Sequence, residues 1–316
     1  MLDDFKTKID KLGKSTSSTL WDQPTEQYTK EGFKVYWETL PIIAHYQFQC
    51  MTGNQHKDYL SYIIEFLQNR VGTKNLRGLS IGCGELTAPE MTLYKTGYFS
   101  AFDVMDIAAK LLERQEQKAS AQGLEAITYI KQDLNRVQLG DSKYDLIWAV
   151  GTVHHIENLE DFFDQVQSAL TPNGIFVMRE YVGPNRIQLT DEQLAITNEI
   201  LSYLPDKYKW TPSGHIKNKE LRVDIDALIQ LDPSESVRSQ DIVPLFKEKL
   251  DVIHLAWTGG TILHPLLNQI GSNFEQDEES IAMLKILIML ERILVEKKAI
   301  PSDYIFAMAK KKEITY

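Results

Sequence analysis

The residues best suited to chemistry form one ordered series between positions 78 and 181. Gly78-Leu-Ser-Ile-Gly-Cys-Gly-Glu85 joins an apolar run to a loop in which Gly82 and Gly84 flank Cys83. Glycines there allow a tight turn and let the backbone approach a ligand where a Cβ would clash. By themselves two such glycines are equally consistent with a plain turn. Asp103 closes the next apolar run, and a carboxylate at that place can accept hydrogen bonds from both hydroxyls of a ribose. Its other reading is a cap for the following helix; Asp106 is the better cap, which leaves Asp103 available. Asp133, in Gln132-Asp133-Leu134-Asn135, can accept the exocyclic amine of adenine while the Leu134 backbone pairs with the ring, although Asp in a loop commonly just makes a turn. His154 and His155 follow the fourth run and Glu180 and Tyr181 end the fifth. Imidazole exchanges protons near neutral pH, so these four are the candidate catalytic groups.

The elements that must position this series alternate. Short apolar runs at 76–81, 98–104, 126–130, 144–150 and 174–181 read as strands, with helical stretches at 106–121 and 158–170 between them. Such alternation predicts parallel βαβ units with helices on both faces of a sheet. In an open sheet of this kind, ligands bind outside the carboxyl ends of the strands, which is where every candidate residue falls. After Tyr181 the alternation lapses. Thr190-Asp-Glu-Gln193 predicts a capping box opening a helix. A sixth strand is expected at 250–257, an apolar helix at 281–295 capped by Ser280, and a seventh strand at 303–309. The expected division is an N-terminal helical cap (1–75), a core (76–181), a lid insertion (182–248), and the last two strands with an inserted apolar helix (249–316). Residues 1–20 read as a loosely ordered polar lead-in, and Trp21, Tyr28, Phe33, Tyr36, Trp37, Tyr46 and Phe48 make the cap dense in aromatics.

Over roughly 76–181 the series resembles the class I S-adenosylmethionine (SAM)-dependent methyltransferases. The glycine loop, the acidic end of strand two, the Asp-Leu after strand three, the D-L-I-W run leading to His154-His155, and Ala169-Leu-Thr-Pro-Asn-Gly174 all match. Glu180-Tyr-Val-Gly-Pro-Asn-Arg186, Asp232-Pro-Ser-Glu-Ser-Val-Arg-Ser239 and Thr258-Gly-Gly-Thr261 further resemble a bacterial subgroup acting on small molecules. Two departures stand out: Ser80 where the family often has an acid, and Leu86 where a third glycine is common. The resemblance implies a Rossmann-like seven-stranded, mostly parallel sheet. It implies SAM as cofactor, with S-adenosylhomocysteine as product. The cofactor-binding positions would be Gly82, Cys83, Gly84, Asp103, Val104, Asp133, Leu134 and Val150. The acceptor would be a small molecule methylated on O or N, partly apolar or aromatic, walled by the N-terminal helices and the lid. His154, His155, Glu180 and Tyr181 would be the groups near it. Arg186 could pair with a nearby carboxylate or bind an anionic acceptor. His264 could close over the pocket or be an ordinary surface histidine.

Bulk properties narrow the alternatives. A formal net charge of −10 opposes phosphate backbones, so nucleic acid is not an expected partner. Two cysteines, Cys50 and Cys83, make no disulfide scaffold and have no metal-ligand spacing, so no metal is expected. The longest apolar stretch is interrupted by Lys285, Glu291 and Arg292, so no membrane span is expected; a cytoplasmic location follows by default. The apolar helix near the end is expected to be buried against the sheet or in a homodimer contact. Rival functions are methylation of a glycan, a silent SAM-binding scaffold, and an NAD-dependent oxidoreductase. The last would want G-x-G-x-x-G, which Leu86-Thr87 does not complete.

Overall fold

The computed structural model describes Asp22, residues 36–84 and residues 88–313. Residues 1–20, the aromatics Trp21, Tyr28 and Phe33, and Leu86 at the third-glycine position lie outside the described residues. Seven strands form one sheet in the order β3-β2-β1-β4-β5-β7-β6. They are β1 (Leu76–Ile81), β2 (Phe99–Asp106), β3 (Ile127–Lys131), β4 (Tyr144–Val150), β5 (Leu170–Tyr181), β6 (Asp251–Gly259) and β7 (Tyr304–Lys310). The pairs β1–β2, β2–β3, β1–β4 and β4–β5 are parallel. Strand β7 runs against both β5 and β6. The seven-stranded, mostly parallel Rossmann-like sheet expected from the sequence is therefore present. Strand order reverses at β1, between β2 and β4, which opens a crevice at the carboxyl ends of these strands.

Strands buried on both faces read as continuous apolar runs, and alternate residues of each enter opposite cores. Ile147 and Ala149 of β4 pack with Phe162, Phe163, Phe176 and Phe246 on one face. Leu146 and Trp148 pack with Leu67, Phe102, Leu112 and Phe306 on the other. Helices α1 (Pro41–Thr52), α2 (Tyr59–Arg70), α3 (Pro89–Tyr94), α4 (Ala109–Ser120) and α5 (Leu159–Ala169) fall in the first half of the chain. Helix α5 buries Leu159, Phe162, Phe163 and Val166, one helical stripe.

The second half holds α6 (Asp191–Tyr203), α7 (Ile225–Leu231), α8 (Ile242–Lys249), α9 (Leu263–Leu267) and α10 (Glu278–Glu296). Thr190 and Gln193 form the expected capping box of α6. At α10 the cap is Asp277, with Ser280 reciprocating from the third position, rather than Ser280 itself. Helix α10 buries Leu284, Leu287 and Ile288 but leaves Ile286, Met289 and Ile293 exposed, so it is not enclosed all round by the described residues. Among the described residues no helix is long and apolar enough to cross a membrane. A third core gathers Trp37, Leu40 and Ile43 with Leu201, Tyr208, Leu263 and Phe274, fastening the described part of the cap to the segments after β5.

One buried acid in this frame makes a measurable prediction. Glu90, in the first turn of α3, is wholly buried, and among the described residues neither carboxylate oxygen has a hydrogen-bond partner. Burial pushes its carboxyl up to about 7. A carboxyl raised on folding stabilises fully below its unfolded value and loses that contribution as pH rises through the folded one. From pH 5 to 8 the protein should lose about 3 kcal/mol at this site. Thermal melts of Glu90→Gln across that range should be flatter than wild type by this amount; parallel curves would show that Glu90 keeps an ordinary acidity.

Candidate active site

The crevice at the strand ends is a cavity of about 250 Å³. Each wall comes from a loop that follows a strand: Gly82 and Gly84 after β1, Asp106, Ile107 and Leu111 at and after β2, Asp133 to Asn135 after β3, and Val150 to Thr152 with His155 and Ile156 after β4. Ser234 reaches in from the lid. No described residue before Gly82 lines it.

The glycine loop fits a ligand closely. Gly82 has φ +72°, and a Cβ there would collide with the Thr152 side chain; the first turn is thus pressed against the turn after β4. Gly84 (φ +55°) and Gly151 (φ +61°) also lie in the left-handed region, and a Cβ at either would meet nothing within 4 Å. Their backbone faces open space, as a cradle for a large ligand requires. Cys83 points away from the cavity into the second core, and burial holds its thiol far above the ordinary range. It meets Asp106 Oδ2 through its backbone N–H at 3.1 Å and its thiol at 3.7 Å.

The acid at the end of β2 needs correcting. Strand β2 runs to Asp106, two residues beyond the expected end. Asp106 lines the cavity, whereas Asp103 lies within the strand and projects to the opposite face. Asp103 accepts from Lys143 Nζ at 2.9 Å and Tyr144 OH at 2.7 Å, with Arg77 3.6 Å away. It is a structural ion-pair residue. Asp106 does cap, accepting from Ala108 N–H at 2.8 Å, yet its carboxylate stays at the cavity wall. Burial raises its pKa above the ordinary carboxylate value, and the N–H groups of Ala108 and Cys83 oppose that. Val104 is fully buried in the second core and does not line the cavity. Asp133 and Leu134 do. Asp133 also caps the short turn after it through Asn135 N–H at 3.0 Å, so it serves both readings. Asn135, unremarked in the sequence, accepts from Glu157 and Asn158 N–H at 2.8 and 3.0 Å. That ties the β3 loop to the β4 loop.

At the other end of the cavity the structure gathers a polar corner. Glu180 is buried at the end of β5. Its Oε2 accepts from Thr152 and Val153 N–H at 2.9 and 2.6 Å, and its Oε1 pairs with His154 Nδ1. Burial works against its charge, but the His154 cation and these donors outweigh burial and hold it below the ordinary range. Burial likewise disfavours the His154 cation, yet Glu180, then Glu235 and Asp232, carry its pKa to about 9. His155, 4.1 Å from His154 between ring centroids, is shifted the other way by burial and by the His154 charge. From the lid, Ser234 Oγ lies 3.0 Å and Asp232 Oδ2 3.7 Å from His155 Nδ1. Glu235 Oε1 is 3.6 Å from His154 Nε2. Arg186 carries this lid turn by donating to the carbonyls of Pro233 and Glu235 at 2.7 and 3.1 Å, not by pairing with a carboxylate.

Of the four candidate catalytic groups, then, His155 lines the cavity, and His154 stands behind it on Glu180. Tyr181 does not reach the cavity: it packs in the third core and donates to Pro184 O at 3.1 Å. His264 stacks on Trp37 at 6.0 Å with Nδ1 3.2 Å from Tyr304 OH. Burial lowers its pKa to about 4, so it is a neutral, partly buried packing residue. The lid acids Asp232 and Glu235 escaped the sequence reading of the site. They lie some eighty residues from the histidines, and no local pattern links the two.

Residues 79–178 match the profile of a family described as a methyltransferase domain. Rat N-terminal Xaa-Pro-Lys N-methyltransferase 1 is 21% identical over 193 residues, 58% of this chain and 83% of the relative. Malonyl-[acyl-carrier protein] O-methyltransferase 2 of Ilyobacter polytropus is 27% identical over 154 residues, 45% of this chain and 58% of that one. Phosphoethanolamine N-methyltransferase 2 of Haemonchus contortus, solved with SAM, has the same fold at a TM-score of 0.52, with 13% identity over 95% of this chain and 61% of that one. With the matched segment coinciding with the strands and loops that build the cavity, the chain carries a methyltransferase domain and is a SAM-dependent methyltransferase.

Proposed function

We propose that this methyltransferase transfers the methyl of SAM to a hydroxyl oxygen of a small molecule with a partly apolar or aromatic body. One observation carries the preference for oxygen: the tandem histidines after β4 sit against lid carboxylates at the cavity's end. A hydroxyl must be polarised or deprotonated to attack, whereas an uncharged amine needs no such help. The acyl-carrier and N-terminal relatives are named for very different acceptors, so this reading rests on the site's own chemistry. The net charge of −10 disfavours nucleic acid.

In this reading Asp106 holds the ribose hydroxyls. Asp133 takes the adenine amine, with Ile107 and Leu134 against the ring. Gly82, Gly84, Val150 and Gly151 line the methionine part. SAM supplies a methyl already activated on a positive sulfur. The protein's residues orient the acceptor in line with it, exclude water and polarise the acceptor O–H at the His154–His155 corner. The test is incubation with SAM and panels of phenols, alcohols and amines, read as a mass gain of one methyl together with S-adenosylhomocysteine release. Methyl gain on a hydroxyl is expected. Transfer to amines alone, or cofactor binding without turnover on any panel, would refute it.

A further inference from the structure

The corner that receives the acceptor in the proposed reading also gathers a donor set of the kind that holds metal ions. A ring nitrogen from each of His154 and His155 and a carboxylate oxygen of Glu235 all lie within 4.8 Å of one another. The three residues are partly exposed, so an ion could reach them from the solvent side. Two imidazoles and one carboxylate form a mixed N/O donor set. It suits first-row transition ions, whereas Mg²⁺ and Ca²⁺ prefer sites built of oxygen alone.

Two further observations point the same way. His154 is gripped through Nδ1 by the buried Glu180, the carboxylate–histidine arrangement that orients a metal-ligating imidazole. With Nδ1 so held, Nε2 is turned toward Glu235. The charge balance is also lopsided. Glu180, Asp232 and Glu235 all face the two rings. Among the described residues, Arg186 is engaged with backbone carbonyls, and Arg238 pairs with Glu160 and Asp241. A divalent cation balances the corner.

We infer that His154, His155 and Glu235 form a binding site for one divalent transition-metal ion at the acceptor end of the cofactor cavity. The inference rests on the proposed placement of the acceptor only for the ion's purpose, not for its binding. An ion held by three protein ligands keeps open positions, and His155 and Ser234 of this corner line the cavity. The site therefore suits acceptors that offer a hydroxyl beside a second oxygen donor.

The experiment uses the full chain, stripped with chelator and saturated with S-adenosylhomocysteine, with no acceptor present. It is titrated calorimetrically with MnCl₂, ZnCl₂ and MgCl₂, and bound metal is counted by elemental analysis after dialysis. One Mn²⁺ or Zn²⁺ per chain is expected, with Mg²⁺ much weaker. Glu235→Gln should weaken the transition metal at least about tenfold with S-adenosylhomocysteine affinity unchanged, and His155→Gln should weaken the metal likewise. The second variant keeps the test decisive if the first folds poorly. No stoichiometric Mn²⁺ or Zn²⁺, or equal affinity in the variants, overturns the site. Because no acceptor is used, metal binding with no hydroxyl methylation would sink the proposed acceptor and leave the ion. Methylation by metal-free protein that binds none would do the reverse.

Discussion

Asp106→Ala is expected to weaken SAM binding by an order of magnitude or more, while Asp103→Ala leaves it within about twofold. The first carboxylate lines the cavity at the end of β2. Hydrogen bonds from a ligand to a charged group contribute about 1.5–3 kcal/mol each, and 1.4 kcal/mol is a factor of ten. Two ribose hydroxyls on one carboxylate comfortably exceed that. The variant also loses the bonds from Cys83 and Ala108 N–H, which shape the glycine loop, so its deficit includes lost preorganisation. Asp106→Asn keeps the size and part of the acceptor capacity and should fall between. Asp103 is bound to Lys143 and Tyr144 on the other face of the strand, so its loss should appear in the melting temperature and not in the binding isotherm. Calorimetry at a temperature where all three variants are folded decides the matter; the opposite ranking would return the ribose to Asp103.

That pair of acids shows where the sequence was legible and where it was not. Strands β1 and β4 could be read to the residue because they are buried on both faces and bounded by polar or glycine positions. The end of β2 is different. Val104, Met105 and Asp106 continue the pleat, but an Asp just ahead of a helical stretch carries the signature of a cap as well as of a strand end. Asp106 is both, and a reading that assigned it one role passed the other to Asp103. A three-residue slip in a strand is an odd number, so it also reverses the face. The same ambiguity resolved more kindly at Asp133, where capping and lining coincide. The histidines were found because they sit directly after a strand in the position series. Their partners were not, since Asp232 and Glu235 reach them only through tertiary packing of the lid, held by Arg186. Tyr181 illustrates the converse error: adjacency to Glu180 in sequence put it at the site, but successive residues of a strand point to opposite faces, and it belongs to the third core.

Glu180→Ala should be the most damaging single change outside the cofactor contacts. This side chain touches no part of the cavity, yet it terminates three donors of the β4 turn: Thr152 N–H, Val153 N–H and His154 Nδ1. Removing it leaves the His154 cation buried without its nearest counter-charge and two backbone donors unpaired. Breaking a buried pair in this way costs about 3–5 kcal/mol, a loss that thermal melts can measure directly. The activity should fall further than the stability implies. The turn holds Thr152 and His155 at the cavity wall, and a displacement of about 1 Å at such a place can cost a hundredfold in turnover. Glu180→Gln separates the two effects, because the amide oxygen still accepts from the backbone while the charge opposite His154 is gone. It should keep most of the melting temperature and the SAM affinity, and lower kcat for the methylated acceptor at least about tenfold with little change in KM. If Glu180→Gln instead turns over like wild type, the carboxylate serves only to close the turn, and its pairing with His154 contributes nothing to methyl transfer.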